Sequence, residues 1–122
     1  MPEYVDGFVI VIPKKKMNDY KKLAAKAGKI WMEYGALSYY ECVGKDLKVK
    51  MGIPFTKLAN AKPTDNVVFS FVTYKNKKQR DSIMKKIMKD PRMNAICPDP
   101  NDMPFDMKKM AYGGFESFVL KK

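Results

Sequence analysis

The chain has 122 residues, which is the length of one domain with a single core. Apolar residues make up 46% of the chain and charged residues 30%, a balance typical of a folded globular protein. The net charge is +11, and the chain lacks histidine, which excludes Ser-His-Asp and Cys-His catalysis and histidine-ligated zinc or haem. We therefore expect one domain spanning residues 1–122, with no metal and no other cofactor.

The first predicted element is a strand at residues 4–12, where β-branched and aromatic residues follow one another until Pro13. Its apolar part is too short for a secretion signal, and no apolar run in the chain approaches the roughly 18 residues that cross a bilayer. We therefore expect a cytoplasmic protein that does not enter a membrane.

A helix is predicted to begin at Met17 and to stop at Gly35, because apolar residues recur at steps of three and four with lysines opposite. Gly28 lies inside this helix, where glycine costs up to about 1 kcal/mol relative to alanine. Its presence indicates close packing against another element. A second strand is predicted at residues 37–43.

The middle of the chain begins with a long connection at residues 44–65, a length that is usually functional or used for association. A third strand at residues 66–74 leads to Asn76, whose side chain can cap a helix through the backbone amide of Gln79. That helix is predicted to stop at Asp90, because helical geometry is disfavoured for a residue that precedes proline.

The end of the chain is expected to hold an irregular segment and then a strand. Prolines are frequent in residues 91–109, which predicts a segment without regular structure. Residues 110–120 are typical of a fourth strand, in which Gly113 and Gly114 indicate a bulge or a close approach of the backbone.

The predicted order is βαββαβ, the ferredoxin-like arrangement of an α+β domain with both helices on one face of the sheet. The first and third strands are then central, and both are apolar on either side. The face without helices needs a second cover, and a second copy of the sheet is the simplest one. The sequence therefore predicts a homodimer.

Five short blocks resemble, in order, the signature of the family called domain of unknown function 1428. They are Val5-Asp6-Gly7-Phe8, Glu41-Cys42-Val43, Asp90-Pro91-Arg92-Met93, Met103-Pro104-Phe105-Asp106 and Tyr112-Gly113-Gly114-Phe115-Glu116. The resemblance covers nearly the whole chain and implies the dimeric α/β-barrel superfamily, in which two sheets pack face to face around a cavity. Relatives in that superfamily include cofactor-poor monooxygenases, haem-binding enzymes and muconolactone-isomerase-like proteins.

Three residues are candidates for catalysis, namely Asp6, Glu41 and Tyr112. Strand alternation places Asp6 on the same side as Tyr4 and Phe8, which we expect to face the cavity between the two sheets. Asp6 is then either a general base or, as we favour, half of a hydrogen-bonded pair that fixes the dimer. Glu41 either joins Asp6 in that cavity or pairs with a basic residue at a sheet edge.

The candidates for a ligand pocket are mostly aromatic and come from the first strand, the first helix and the proline-rich segment. They are Tyr4, Phe8, Trp31, Tyr34, Arg92, Met103 and Phe105. Core packing is the simpler interpretation of Trp31. The segment 91–109 fits two roles, a lid over the cavity or an arm across the dimer.

Cys42 and Cys97 are the cysteines of the chain, and both are expected to stay thiols in a reducing compartment. Because Cys42 alternates with Glu41 along one strand, it is predicted to point towards the helices and to fill the core. A reactive thiol needs a cationic neighbour and some exposure, and the sequence indicates neither.

The positive charge is concentrated on the two predicted helices. Residues 14–30 carry seven lysines against one aspartate, a net of +6, and residues 77–92 carry five lysines and two arginines against two aspartates, a net of +5. A solvated face is the simplest interpretation. The third strand lacks the basic-Gly-aromatic pattern of an RNA-recognition sheet, which argues against specific nucleic-acid binding. Weak contact between the helices and phosphates is the remaining alternative.

The expected function is the binding of a small organic molecule in a cavity between the sheets of a homodimer. A cofactor-independent enzyme of the monooxygenase or isomerase type is the alternative. The sequence does not decide between the two.

Overall fold

The computed structural model describes residues 2–96 and 99–122 as a mixed α+β fold. The four strands are β1 (Tyr4–Pro13), β2 (Ser38–Val43), β3 (Asp65–Tyr74) and β4 (Ala111–Glu116). The four helices are α1 (Met17–Glu33), α2 (Phe55–Leu58), α3 (Lys77–Met88) and α4 (Pro91–Ile96). Short 3-10 turns lie at Lys14–Lys16, Pro100–Asp102 and Met107–Lys109. Each predicted strand and both long helices are present. No helix in the described part of the chain is long and apolar enough to span a membrane.

The four strands form one antiparallel sheet in the order β2-β3-β1-β4, so that the two most apolar strands are central. One face of this sheet, which we call the covered face, packs against the helices. Ile10, Ile12 and Val68 form a core with Tyr20 and Ala24 of α1. Beside it, Val72 and Tyr74 of β3 pack with residues of α1 and α3, namely Ile30, Ile83 and Ile87.

The other face of the sheet, which we call the open face, carries apolar side chains that α1, α3 and α4 do not cover. Tyr40 stacks on Phe71 at a centroid distance of 4.6 Å, Phe71 lies 5.8 Å from Phe69, and Phe69 lies 6.2 Å from Phe55 of α2. Tyr40, Phe69 and Phe115 are each about half exposed or more. The open face is therefore an aromatic surface in contact with solvent.

Helix α1 ends as the sequence predicts, and its glycine lies at a close contact with the sheet. Gly35 follows the helix with φ +105°, a backbone conformation that residues other than glycine rarely adopt. Gly28 lies against the ring of Tyr39, and a Cβ built there would be 2.8 Å from Cδ1 and 2.9 Å from Cε1 of Tyr39. The predicted close packing at Gly28 is confirmed.

Helix α3 begins with the predicted cap at Asn76, and the structure adds a second hydrogen bond to it. The side chain of Asn76 accepts a hydrogen bond from the amide of Gln79 at 2.8 Å. The Gln79 side chain in turn accepts from the amide of Lys75 at 2.6 Å. Two amides that lack helical partners are thereby satisfied, which fixes where α3 starts.

The segment after α3 is more regular than predicted, because residues 91–109 include α4 and two 3-10 turns. Pro91 stops α3 but also starts α4, since proline suits the first position of a helix. The Asp90 side chain accepts from the amide of Arg92 at 2.8 Å and so caps this new helix. Met93 and Ile96 pack against the core under α3, so the segment covers the helix side of its own chain.

We predict that Gly28→Ala destabilises the protein, although alanine is the better helix former. The added methyl would press on the ring of Tyr39, and overpacking of this kind costs about 1–3 kcal/mol. Chemical unfolding in urea gives the free energy of unfolding. Lys29→Ala, at an exposed position of the same helix, serves as the control and should change it by about 0.5 kcal/mol or less. A Gly28→Ala variant as stable as the wild type would contradict the close contact.

Candidate functional site

The structure reverses the predicted orientation of the first and second strands. Asp6, Tyr4 and Phe8 lie on the covered face beneath the helices, so the expectation that they face a cavity between two sheets is wrong. Glu41 also lies on the covered face, while Cys42 points to the open face and is exposed, so it does not fill the core. The alternation along each strand is as predicted. The helices cover the side with the larger residues, since Ile10 and Ile12 share it with Asp6.

Asp6 is the centre of a buried ionic cluster that joins the sheet to α3. Its side chain is 2% exposed, and Oδ1 accepts from Nη1 of Arg80 and from the hydroxyl of Tyr112, each at 3.2 Å. Nη2 of Arg80 donates to the Tyr4 hydroxyl at 3.1 Å, and the guanidinium lies 4.8 Å from the centre of that ring. Tyr4 in turn lies against Gly114, where the backbone makes the predicted close approach.

Tyr74 lies between Asp6 and α1. Its hydroxyl is close enough to Asp6 to favour the charged carboxylate, and it accepts a hydrogen bond from the indole nitrogen of Trp31 at 3.0 Å. Burial raises the pKa of Asp6, and the Arg80 charge with the hydroxyls of Tyr74 and Tyr112 partly offsets that rise. The cluster pairs Asp6 fully within its own chain. Asp6 therefore fixes α3 to the sheet, and the prediction that it pairs across a dimer is wrong.

Glu41 forms a second polar cluster, and no arginine or lysine in the part of the chain that the structure describes forms an ion pair with it. The hydroxyl of Tyr20, on α1, donates to Oε1 at 2.7 Å, and the hydroxyl of Tyr39, the residue two before it on β2, donates to Oε2 at 2.7 Å. Burial and the nearby carboxylate raise the pKa of both phenols far above its usual value. Both tyrosines therefore remain protonated donors at neutral pH.

Two cavities border the Glu41 cluster. An inner cavity of about 260 Å³ lies between the sheet, α1 and the segment after α4. It is lined by apolar and aromatic side chains together with Ser70 and Glu41; among them are Phe8, Ile10, Trp31, Met93, Phe105 and Met110. An outer groove of about 550 Å³ runs between α1 and β2. Tyr20, Tyr39 and Glu41 border both spaces.

The predicted ligand-pocket residues do not all meet. Phe8, Trp31 and Phe105 line the inner cavity, and Phe105 packs edge-on against the ring of Tyr20 at 5.7 Å. Tyr4 belongs to the Asp6 cluster, and Met103 lines a different pocket between β1 and the 3-10 turn at Met107–Lys109.

Tyr34 and Arg92 belong to a third cluster, centred on the buried carboxylate of Asp90. The Tyr34 hydroxyl donates to Asp90 at 2.7 Å, and Nη2 of Arg92 donates to it at 2.9 Å. Nη1 of Arg92 also donates to Glu33 of α1 at 2.6 Å. These contacts tie the start of α4 to the end of α1, away from the inner cavity.

Several residues of the site were not identified from the sequence, chiefly Tyr20, Tyr39 and Ser70. Tyr39 and Glu41 alternate on one strand and so share a face, a signal that was available in the sequence. Tyr20 is spaced as a core residue of α1, and a polar role for its hydroxyl leaves no trace in the periodicity. Cys97 lies outside the described residues.

Candidate metal ligands and the positive charge of the helices are two further features of the chain. Within residues 2–96 and 99–122, no three acidic or cysteine side chains are grouped as a metal site requires. The lysines of α1 and α3 are exposed to solvent. One of them, Lys77, pairs with Asp81 at 2.9 Å.

Comparison with known sequences gives a consistent match over most of the chain. A sequence model of the family described as "Protein of unknown function (DUF1428)" matches residues 3–107. Proteins named "Uncharacterized protein YbaA" from Escherichia coli and Shigella flexneri are each 41% identical over 117 residues. The alignment covers 96% of this chain and 97% of each relative.

We predict that Asp90 makes the stability of the fold sensitive to acid. Hydrogen bonds from the Arg92 guanidinium, the Tyr34 hydroxyl and the Arg92 amide hold the pKa of Asp90 well below its usual 3.8. The unfolded chain then takes up the proton first as the pH falls, so the stabilisation is present above about pH 4 and is lost below it. Asp90→Asn should therefore be less stable than the wild type at pH 7.

Urea unfolding of both proteins at pH 7, 5 and 3 measures this effect. The stability difference between wild type and Asp90→Asn should narrow between pH 5 and pH 3. Asp46→Asn, at an exposed loop position, is the control and should give a difference near zero throughout. If the stability difference between wild type and Asp90→Asn stays constant from pH 7 to pH 3, the prediction is wrong.

Proposed function

The chain belongs to the family of proteins of unknown function DUF1428, and from the geometry of its own cavities we propose that it binds a small organic molecule at Glu41. The single observation that carries this proposal is the pair of phenols that hold the Glu41 carboxylate at the border of two cavities. The site lies beneath the helices of one subunit.

The lining of the inner cavity indicates the type of ligand. Apolar and aromatic side chains surround the Glu41 carboxylate, and sites of this composition hold an apolar body and orient it through a few polar groups. A carboxylate offers about four acceptor positions, and the two phenols occupy two of them. A cavity of about 150 Å³ is enough for benzene. The ligand is therefore a molecule of one or two rings that donates a hydrogen bond to Glu41.

Binding is better supported than catalysis. A cofactor-independent enzyme would use Asp6 or Glu41 as a base that takes a proton from the substrate. Asp6 is paired with Arg80 beneath α3 and does not line the inner cavity. Both oxygens of Glu41 already accept phenol hydrogens. The site thus resembles a recognition site more closely than a catalytic one.

We predict that the protein prefers indole, which has an N–H donor, over 1-methylindole, which has the same rings without it. A hydrogen bond to a charged acceptor contributes about 1.5–3 kcal/mol, so the preference should be about tenfold or more. Dissociation constants on the order of 1 mM are expected for ligands of this size and can be measured by ligand-detected NMR titration.

The matched variant for this test is Glu41→Gln, which keeps the shape of the side chain but removes its charge. It should reduce the preference for indole to about threefold or less and leave the affinity for 1-methylindole unchanged. Glu116→Gln, at the exposed end of β4, is the control and should behave as the wild type. If neither molecule binds to the wild type, the proposed function is wrong.

The second part of the proposal is that two ferredoxin-like subunits pair through their open faces and form a dimeric α/β barrel. The strand order β2-β3-β1-β4 with helices on one face supports this arrangement. The aromatic residues of the open face support it further, since a contiguous apolar surface of this kind marks an interface. The exposed free thiol of Cys42 on the same face supports a cytoplasmic location.

We predict that light scattering at micromolar concentration gives about twice the chain mass of 14.0 kDa. Phe69→Arg should shift the protein to the monomer, because it places a charge in the centre of the open face. Met88→Arg, at an exposed apolar residue of α3 on the other side of the sheet, is the control and should remain dimeric. A monomeric wild type would remove the barrel from the proposal.

A further inference from the structure

The outer groove differs from the inner cavity in the residues at its rim. Small side chains of α1 form its floor, namely Ala24, Ala25 and Gly28, and the sheet contributes Val43 and Val68. Gly28 allows the helix to approach Tyr39 closely, so the floor continues to the Glu41 cluster. The outer groove is therefore mostly apolar, and it connects the solvent with Glu41.

Two lysines lie at the rim of the outer groove. Lys21 and Lys29 both line the groove, and both are exposed. They lie eight residues apart on α1, or about 12 Å along the helix axis, which places them on one side of the helix at successive stretches of the groove. Neither forms an ion pair with a carboxylate among the residues that the structure describes. Two ammonium groups are thus available to a ligand in the outer groove.

We propose that the ligand of the Glu41 site is a carboxylate, whose anionic group binds Lys21 and Lys29 at the rim while its apolar body extends towards Glu41. This inference rests on the proposed function and specifies the class of molecule. The charged residues that line the groove are Lys21, Lys29 and Glu41, which sum to a net charge of +1. A ligand with one negative charge matches that sum, whereas a doubly charged phosphate would leave an uncompensated charge near Glu41.

The positions of the charges also fix the direction in which the ligand enters. Its carboxylate is attracted to the lysines and repelled by Glu41, so it stays at the solvent side. Its hydrogen-bond donor is attracted to Glu41, so it lies at the inner end. Lysine suits this role because its ammonium group binds an anion without a fixed planar geometry. The site therefore selects an apolar molecule with a donor at one end and a carboxylate at the other.

Comparing indole with indole-3-propionate tests this inference, since both share the ring and the N–H donor. Indole-3-propionate should bind the wild type about tenfold more tightly than indole, with about threefold from each lysine, because partly exposed ion pairs are individually weak. Lys21→Gln and Lys29→Gln should each remove about a threefold advantage, and the double variant should abolish it. The affinity for indole itself should stay the same in every variant.

Two further variants separate specific binding from general attraction. Lys26→Gln alters an exposed lysine on the same helix that does not line the groove, and it should leave both affinities unchanged. Lys29→Arg keeps the charge and should retain the advantage of the carboxylate. Circular dichroism confirms that each variant is folded before titration.

The outcomes distinguish this inference from the proposed function. If indole binds but indole-3-propionate gains nothing, or if Lys26→Gln weakens the carboxylate as much as Lys29→Gln does, the inference is wrong and the proposed function stands. If neither compound binds to the wild type, both are wrong. A carboxylate advantage that is lost only with Lys21 and Lys29 supports the inference.

Discussion

Three carboxylates beneath or beside the helices, two of them buried and Glu41 partly buried, determine how the layers of this protein fit together. A carboxylate removed from water must find donors, since otherwise its charged form is strongly disfavoured. Asp6 finds Arg80 of α3, Glu41 finds Tyr20 of α1, and Asp90 finds the amide and guanidinium of Arg92 in α4. Each helix beyond the short α2 is therefore held in place by a donor that it supplies. The apolar cores lie between these polar contacts.

The need of a carboxylate for donors also distinguishes the Asp6 cluster, which is structural, from the Glu41 cluster, which is the candidate binding site. Asp6 receives a full positive charge in addition to hydroxyl donors, so its demand for partners is met within the chain. Glu41 receives two neutral phenols, which satisfy two of its acceptor positions and leave its charge unneutralised. That charge lies beside two cavities, whereas Asp6 lies beneath Arg80. We assign binding to Glu41 because its charge is not neutralised within the chain, whereas the charge of Asp6 is neutralised by Arg80.

The secondary structure of this chain could be predicted because its signals are local. The steps of three and four along α1, the cap at Asn76 and the glycine at position 35 each act within a few residues. The direction in which a strand faces is not local. Alternation correctly groups Tyr4, Asp6 and Phe8, but the position of the helices decides whether that group is covered. The polar residue Asp6 suggested an open cavity, and its partner Arg80, 74 positions away, was needed to show otherwise.

The candidate site was predictable only in part for a related reason. Glu41, Phe8, Trp31 and Phe105 were identified by residue type, since carboxylates and aromatic rings in an apolar chain suggest a pocket. Pro91 shows the limit of such reasoning. Frequent prolines predict irregular structure, but with Asp90 before it Pro91 begins α4. Met93, Phe105 and Met110, which follow Pro91, then line the inner cavity.

Strand β2 links the two sides of the sheet, because its residues alternate between them. Tyr39 and Glu41 face the cavities, while Tyr40 and Cys42 face the open side, where Tyr40 stacks on Phe71. The strand lies at the edge of the sheet and is paired on one side by β3. In the proposed dimer, β2 therefore contributes to both sides of the sheet, with Glu41 at the binding site and Tyr40 at the interface.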